Sequence, residues 1–434
     1  MILIYTAKIT SRKDYIFKHI FKRLLNQPYE LTTDIQKFVG HEDAKMSYGL
    51  KPLGNEMFVW SMGLLDELGI ELHDVNSCKW DDLPAIFPAP KSSSIPFDLF
   101  SAAFFLITRY EEYLPQVKDE EGRYDAQESI AVKAGFVDLP LIDLWCERLY
   151  CELKEIYPKL TDIQPAPAKI TVNLEVDRLR KYQGLGLAAN IAMAWDSISN
   201  FKWATLLRQF YAITGLIPDP YKNERRLISL YKDKTKENHE VLGLKKMMFF
   251  FNVSSKDYGN FDHNKWLIEL AKYVADYVRV GLRYSKEPDK ENITNETKIF
   301  EDHFKRPLKK VMIARSSIDM PNYYRELVDV EYKEDYSMGY DSVPGFRAST
   351  CNPFYFYDLD YEIQTPLLIH PYALHYKSIS GRTLNGQRIV VSQLFDVVKR
   401  AHGNFIVQFD YAQFDNGKST HTTTILEQIL DYEV

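Results

Sequence analysis

Two carboxylates stand two residues apart in the stretch ITVNLEVD, Ile170–Asp177. Apolar residues fall at every second position (Ile170, Val172, Leu174, Val176), which predicts a buried β-strand and puts Asn173, Glu175 and Asp177 on its other face. A pair of acids at the C-terminal end of a strand can divide proton transfer between them or hold a cation, and in α/β folds ligand chemistry gathers at those strand ends. The same spacing also arises where a strand runs into a polar loop and solvates its acids.

The elements that would position this pair read as a two-part chain. From residue 168 onward strand and helix patterns alternate, the signature of parallel βα units in a barrel or doubly wound sheet. Predicted strands cover Lys246–Val253, Val278–Ser285, Lys310–Arg315, Glu334–Met338, Thr365–Ile369 and Asn404–Phe409. The run KMMFFFNV lacks alternation, as a strand covered on both faces does. Predicted helices cover Arg225–Lys236, Lys265–Tyr277, Asn292–Phe304, Pro321–Val328 with proline in the first turn, Val390–Ala401 and Ser419–Leu430, and Leu185–Thr214 is helix-rich with a break near Ser199–Asn200. Before Pro165 the pattern is a strand at Met1–Thr6, a helix capped by Ser11 and running to about Leu25, strands at Tyr29–Thr33 and Glu56–Trp60, a strongly apolar helix at Phe97–Leu114 and an amphipathic one at Leu139–Tyr157. The segment TDIQPAPAK reads as a linker and gives domains 1–164 and 168–434.

Bulk properties narrow the partners. The 434 residues carry 54 basic and 60 acidic side chains, a net charge of −6, with no long basic block, so nucleic acid is not a favoured partner. No run approaches the ~18 apolar residues of a membrane span, and the N-terminus lacks the features of a signal peptide, so a cytoplasmic protein is expected. The four cysteines form no Cys-x-x-Cys pair, and Cys146 and Cys151, on one helical stretch, read as reduced and partly buried.

Longer runs are more specific. EDYSMGYDSVPGFRASTCNPFYFYDL (Glu334–Leu359), with IPFDLFSAAFFLITRYEEYL and GRYDAQESIAVKAGFVDLPLIDLW in the N-terminal half, resembles a polysaccharide deacetylase-like family of the Bacteroidetes whose members carry a separate N-terminal domain. The resemblance implies an α/β fold, a distorted (β/α) barrel of the polysaccharide deacetylase type preceded by a smaller α/β N-terminal domain. Active members hold a divalent metal, usually zinc, with one aspartate and two histidines. A neighbouring aspartate is the general base and a histidine near the C-terminus the general acid. Followed by Tyr182 and Gly184, Glu175 matches the base position and Asp177 the metal-ligand position. The first histidine position holds Arg283, in VGLRYS, with Ser285 after it; arginine keeps its proton and cannot ligate. Arg315, which in the family orients the base, is present, but Ser316 or Ser317 stands for the next histidine, and Asp410 replaces the C-terminal acid.

Only Asp177 survives of the metal ligands, so no cofactor is expected; zinc or another divalent metal would be implied only by a partly functional family site. The expectation is that Glu175, Asp177, Arg283, Ser285, Arg315 and Asp410 meet at one rim, with the Arg283 guanidinium in the metal's place, bridging Asp177 and reaching toward Asp410. The histidines offer no evident substitute: His370 and His375 are five apart across Pro371, and His263 and His303 read as loop or helix surface. Asp257, Asp262 and Asp415 read as solvated loop acids. Three functions fit: a deacetylase-like protein without deacetylase activity that binds a carbohydrate, a polysaccharide intermediate or a partner protein; a carbohydrate hydrolase with rearranged chemistry using Glu175 and Asp410; or a scaffold acting through its N-terminal domain.

Overall fold

The computed structural model describes residues 1–120, 122–163, 166–236, 244–253, 265–284, 290–305, 307–314, 317–414 and 421–434, with side chains in the 265–284 stretch from residue 268. Ser285, Arg315 and Ser316, together with Asp257, Asp262, His263 and Asp415, lie outside these residues.

The N-terminal part is built on four parallel strands, β1 (Ile2–Thr6), β2 (Tyr29–Thr32), β3 (Lys45–Gly49) and β4 (Met57–Trp60), in the order β2-β1-β3-β4, beside an antiparallel hairpin of β5 (Ser77–Trp80) and β6 (Leu83–Ile86). The helix after β1 is capped by Thr10 rather than Ser11: the Thr10 hydroxyl accepts the Lys13 N–H, and the α-helix Ser11–Phe17 passes into a π-helical turn, Lys18–Leu24. The apolar helix is shorter than its hydrophobic run, Leu99–Ile107, starting at an Asp98 cap and ending where Arg109 turns left-handed. All nine of its residues are buried, which no amphipathic pattern could signal.

The C-terminal part carries β7 (Lys169–Val176), β8 (Lys245–Phe251), β9 (Arg279–Tyr284), β10 (Lys310–Ile313), β11 (Glu334–Asp335), β12 (Phe354–Asp358), β13 (Ile363–Ile369), β14 (Leu374–His375) and β15 (Asn404–Asp410). They form one sheet in the order β12-β13-β11-β10-β9-β8-β7-β15-β14, parallel throughout except for β12 against β13. The architecture is therefore mixed α/β with parallel sheets. β12 and β14 do not stand out in the sequence, because β12 hides in an aromatic run and β14 has two residues. The strand expected at Glu334–Met338 ends at Asp335. The helix expected from Pro321 begins at Asn322, with Pro321 just ahead of it.

Strand periodicity sorts the side chains into two layers. Ile170, Val172, Leu174 and Val176 of β7, Met247, Phe249 and Phe251 of β8, and Phe405, Val407 and Phe409 of β15 join the core that runs on into the N-terminal part. Their alternates, Met248, Phe250 and Ile406, meet Met312, Tyr336 and Tyr372 in a second cluster on the opposite side. This is why MMFFF, Met247–Phe251, is apolar at every position. Gly281 is needed here, since a Cβ on it would lie 2.5 Å from the Phe250 ring. Gln408 on the same side donates to the Tyr336 carbonyl at 2.6 Å. The 370–375 stretch touches two separate parts of the sheet: the Tyr372 N–H donates to the Met338 carbonyl, just after β11, and the Ala373 N–H to that of Ile406 in β15, each at 2.9 Å.

A buried ionic seam joins the two parts. Arg109 donates to Glu112 at 2.7 Å and to the Tyr340 hydroxyl at 3.1 Å, and Arg347 makes a forked pair with Glu112 at 2.8 and 2.6 Å. Asp143 accepts from the Cys351 N–H and the Asn352 side chain, and Arg12 pairs with Glu362. Cys146 is buried and Cys151 exposed; all four cysteines are free.

Candidate functional site

The ladder registers bring the acidic strand and its neighbours level. Asp410 of β15 pairs with Glu175 of β7, Glu175 with Phe250 of β8, and Phe250 with Gly281 of β9, two residues before Arg283. Because all these strands run parallel, Glu175, Arg283 and Asp410 emerge at one set of strand ends, and β14 adds His375 beside Gln408.

Arg283 is buried and paired twice. Its Nε donates to Glu175 Oε2 at 2.8 Å and its Nη1 bonds to Asp177 Oδ1, which also accepts from the Asn252 amide at 3.1 Å. Glu175 is buried, whereas the Asp177 side chain is 59% exposed. The other Glu175 oxygen faces His375 Nε2 at 3.2 Å. Glu175, His375 and Asp410 each offer a polar atom within 4.8 Å of the other two. Asp410 thus sits on the His375 side of Glu175. The hydrogen bonds of Arg283 go to Glu175 and Asp177, and it acts on Asp410 through its charge alone.

The electrostatics follow from this crowding. Burial alone would push the Glu175 carboxyl up, but the Arg283 charge and the bonds from His375 and Arg283 outweigh it and hold it at about 2. Burial and then the Glu175 charge push Asp410 up, against partial relief from His375 and Arg283. Burial pushes His375 down, yet the bond to Glu175 and the charges of Glu175, Asp410 and Asp341 leave it above the usual imidazole range. One contact opposes that rise: the Lys377 N–H donates to His375 Nδ1 at 3.2 Å, so a second ring proton would displace it. The network therefore assigns the proton of the neutral ring to Nε2, where it points at Glu175.

His375 is the residue that sequence reasoning passed over. Its separation from His370 is real: His370 stacks on Tyr336 with ring centroids 4.4 Å apart, beside Glu334. What places His375 is the two-residue strand β14. The available signal was the alternation in ALH, which is too short to read.

One layer below, Asn173 is fully buried, and among the described residues its amide has no hydrogen-bond partner. A cavity of about 260 Å³ lies to the side, lined by Arg123, Tyr124, Gln127, Tyr340, Asp341 and neighbours. Asp341 ties it to the cluster: it accepts from Arg123 at 2.8 Å and from Lys377, two residues after His375, at 3.4 Å. The cavity thus draws on both GRYDAQ and MGYDSVPGFR, from opposite halves of the chain.

Residues 2–158 match a family of unknown function (DUF7033). No curated protein matches the chain. Among solved structures, one titled "putative polysaccharide deacetylase from Mycobacterium smegmatis" is 11% identical with a TM-score of 0.39, over 62% of this chain and 85% of its own. The 4-alpha-glucanotransferase of Thermococcus litoralis is 10% identical with a TM-score of 0.35, over 62% of this chain and 36% of its own. Neither TM-score reaches 0.5, so neither likeness says what this chain binds or does.

Proposed function

We propose that residues 168–434 form a deacetylase-like barrel domain whose rim carries an arginine-centred ion cluster in place of a metal centre, and that the protein binds a carbohydrate at this rim without metal-dependent deacetylation. The observation that carries the reading is the double pairing of Arg283 with Glu175 and Asp177. Those are the acids that the family resemblance gives to base and metal. A guanidinium bonded to both supplies a fixed positive charge where the family's metal would stand. Barrel closure is supported by the backbone bonds through Tyr372 and Ala373 and by Gln408 reaching Tyr336.

A zinc ion does not fit the residues present. Asp177 is engaged by Arg283, and arginine and serine stand at the two metal-histidine positions. The alternative trio of Glu175, His375 and Asp410 is close enough, but its imidazole is turned the wrong way. Ligation through Nε2 would require the proton on Nδ1, where the Lys377 N–H already donates. The cavity beside Asp341 supplies hydrogen-bonding groups for a sugar instead, from Arg123 and Asp341, in a lining that includes the edges of Tyr124 and Tyr340.

A hydrolase reading has one observation in its favour, the opposite displacement of two neighbouring carboxyls, Glu175 down and Asp410 up, as acid–base pairs require. Against it, Glu175 is buried and bonded through both oxygens. One set of assays on the full chain separates the readings. N-acetylated chito-oligosaccharides are expected to bind by calorimetry, with binding lost in Arg123→Ala, and to release neither acetate nor new reducing ends. Zinc recovered at one ion per chain with acetate release would overturn the proposal. New reducing ends that disappear in Asp410→Asn would favour the hydrolase.

A further inference from the structure

The loop between β7 and β8 begins with two helices, Leu187–Ser199 and Trp203–Ile213, that are built inside out. Of their residues only Ser197, Gln209 and Ala212 are buried. Polar groups anchor them. Gln209 donates to the Asn190 carbonyl and Gln183 to that of Ala212, each at 2.8 Å, while buried Asp219 accepts the backbone N–H groups of Lys181, Tyr182 and Gln183.

The large apolar residues point the other way. Leu187, Ile191, Trp195 and Ile198 recur at helical spacing along one face of the first helix, and Trp203, Leu207 and Phe210 along the second, with Phe201 at the turn and Leu216 after it. Trp195 is 70% exposed, Phe201 80% and Leu216 70%. Scattered exposed apolar residues need no explanation, but a contiguous set on paired helices does.

Charge decides between occupants. From Asp177 to Arg226 the chain has eight basic and four acidic residues; two of the acids, Asp219 and Glu224, and one of the bases, Arg180, are buried, which leaves seven bases and two acids toward the surface. A segment with this positive excess stands out in a chain whose net charge is −6. A second copy docked about a two-fold axis would set this basic rim against itself. A bilayer carrying anionic headgroups complements both features: aromatic and aliphatic side chains enter the interface, and lysine and arginine reach the headgroups.

We propose that the 187–216 hairpin is an interfacial anchor that seats the protein on an anionic membrane surface without spanning it. The hairpin follows directly from the strand end that bears Asp177, so the anchored face adjoins the ion cluster in sequence.

The test is sedimentation of the full-length protein with vesicles of phosphatidylcholine alone and of phosphatidylcholine mixed with phosphatidylglycerol, at low and high salt. Binding to the anionic vesicles is expected, weakened by salt, with tryptophan emission shifted to the blue. Trp195→Ser/Phe201→Ser should bind at least about tenfold more weakly, the effect of removing two buried apolar side chains. Both positions are exposed, so its circular dichroism should match the parent. Equal binding to neutral and anionic vesicles, or undiminished binding by the double variant, would overturn the proposal. So would failure to bind either vesicle at low salt, and sedimentation equilibrium would then show whether a dimer that the same variant dissolves takes the surface instead.

Discussion

The seam around Glu112 and the rim around Glu175 are both buried ionic clusters centred on a glutamate between cations, yet they differ in completeness. At the seam two arginines meet Glu112, with Glu111 also on Arg109, and both Glu112 and its partners are buried. The charges balance and every fork is engaged. At the rim one arginine and one histidine face three acids, one of them largely exposed and another displaced upward. A balanced, closed cluster holds structure together. An unbalanced one at strand ends carries negative charge that its own partners do not cancel.

The strongest way to break this contrast is at the seam. Glu112→Ala leaves Arg109 and Arg347 buried without their shared anion and should destabilise the protein by about 3–5 kcal/mol, read as a fall in the urea midpoint. At the rim, Arg283→Met should cost less, about 2–3 kcal/mol at neutral pH, because Glu175 keeps its bond from His375. It should also change the acid limb. With a folded-state value near 2, Glu175 contributes stability that is present above its unfolded value and lost as pH falls toward 2. Removing Arg283 raises that value, so acid unfolding should begin at higher pH. If the two variants lose equal stability and the acid limb does not move, the clusters are not different in kind.

A pH scan must be separated from His19, which is buried in the π-helical turn and held down at about 3 by burial and then by the Arg23 charge. Its folded value lies below its unfolded one, so its contribution is lost as pH falls below about 6.5 toward 3. Between pH 7 and pH 5 this amounts to about 2 kcal/mol. His19→Leu should flatten that stretch of the stability curve in denaturant titrations. The smallest effect belongs to Asp177→Asn, below about 1 kcal/mol, since the side chain is more than half exposed and solvent screens the pair. A larger loss there would mean the rim is as structural as the seam.

What the sequence made legible is local. The alternation in ITVNLEVD placed Glu175 and Asp177 on one face, and the unbroken KMMFFFN run foretold a strand covered on both sides. The helix break near Ser199–Asn200 falls between two helices ending at Ser199 and beginning at Trp203. What it hid depends on distant contacts. His375 reaches the rim through a two-residue strand, the seam unites residues more than 200 positions apart, and the outward apolar face of the 187–216 hairpin shows only once Ser197, Gln209 and Ala212 are seen to be its buried side. Ser11 looked like the helix cap, but Thr10 holds that place because its extended backbone lets the hydroxyl reach the Lys13 N–H.

The forked Arg347–Glu112 pair has a consequence for descent. A glutamate shared by two buried arginines cannot be exchanged alone, nor can either arginine, without stranding a charge. The stretches TRYEEYL and GYDSVPGFR are therefore bound to change together. A related chain that has lost Glu112 should also lack Arg109 or Arg347, and recombination that replaced one half of this protein with a diverged counterpart would be tolerated only where the seam had been inherited whole.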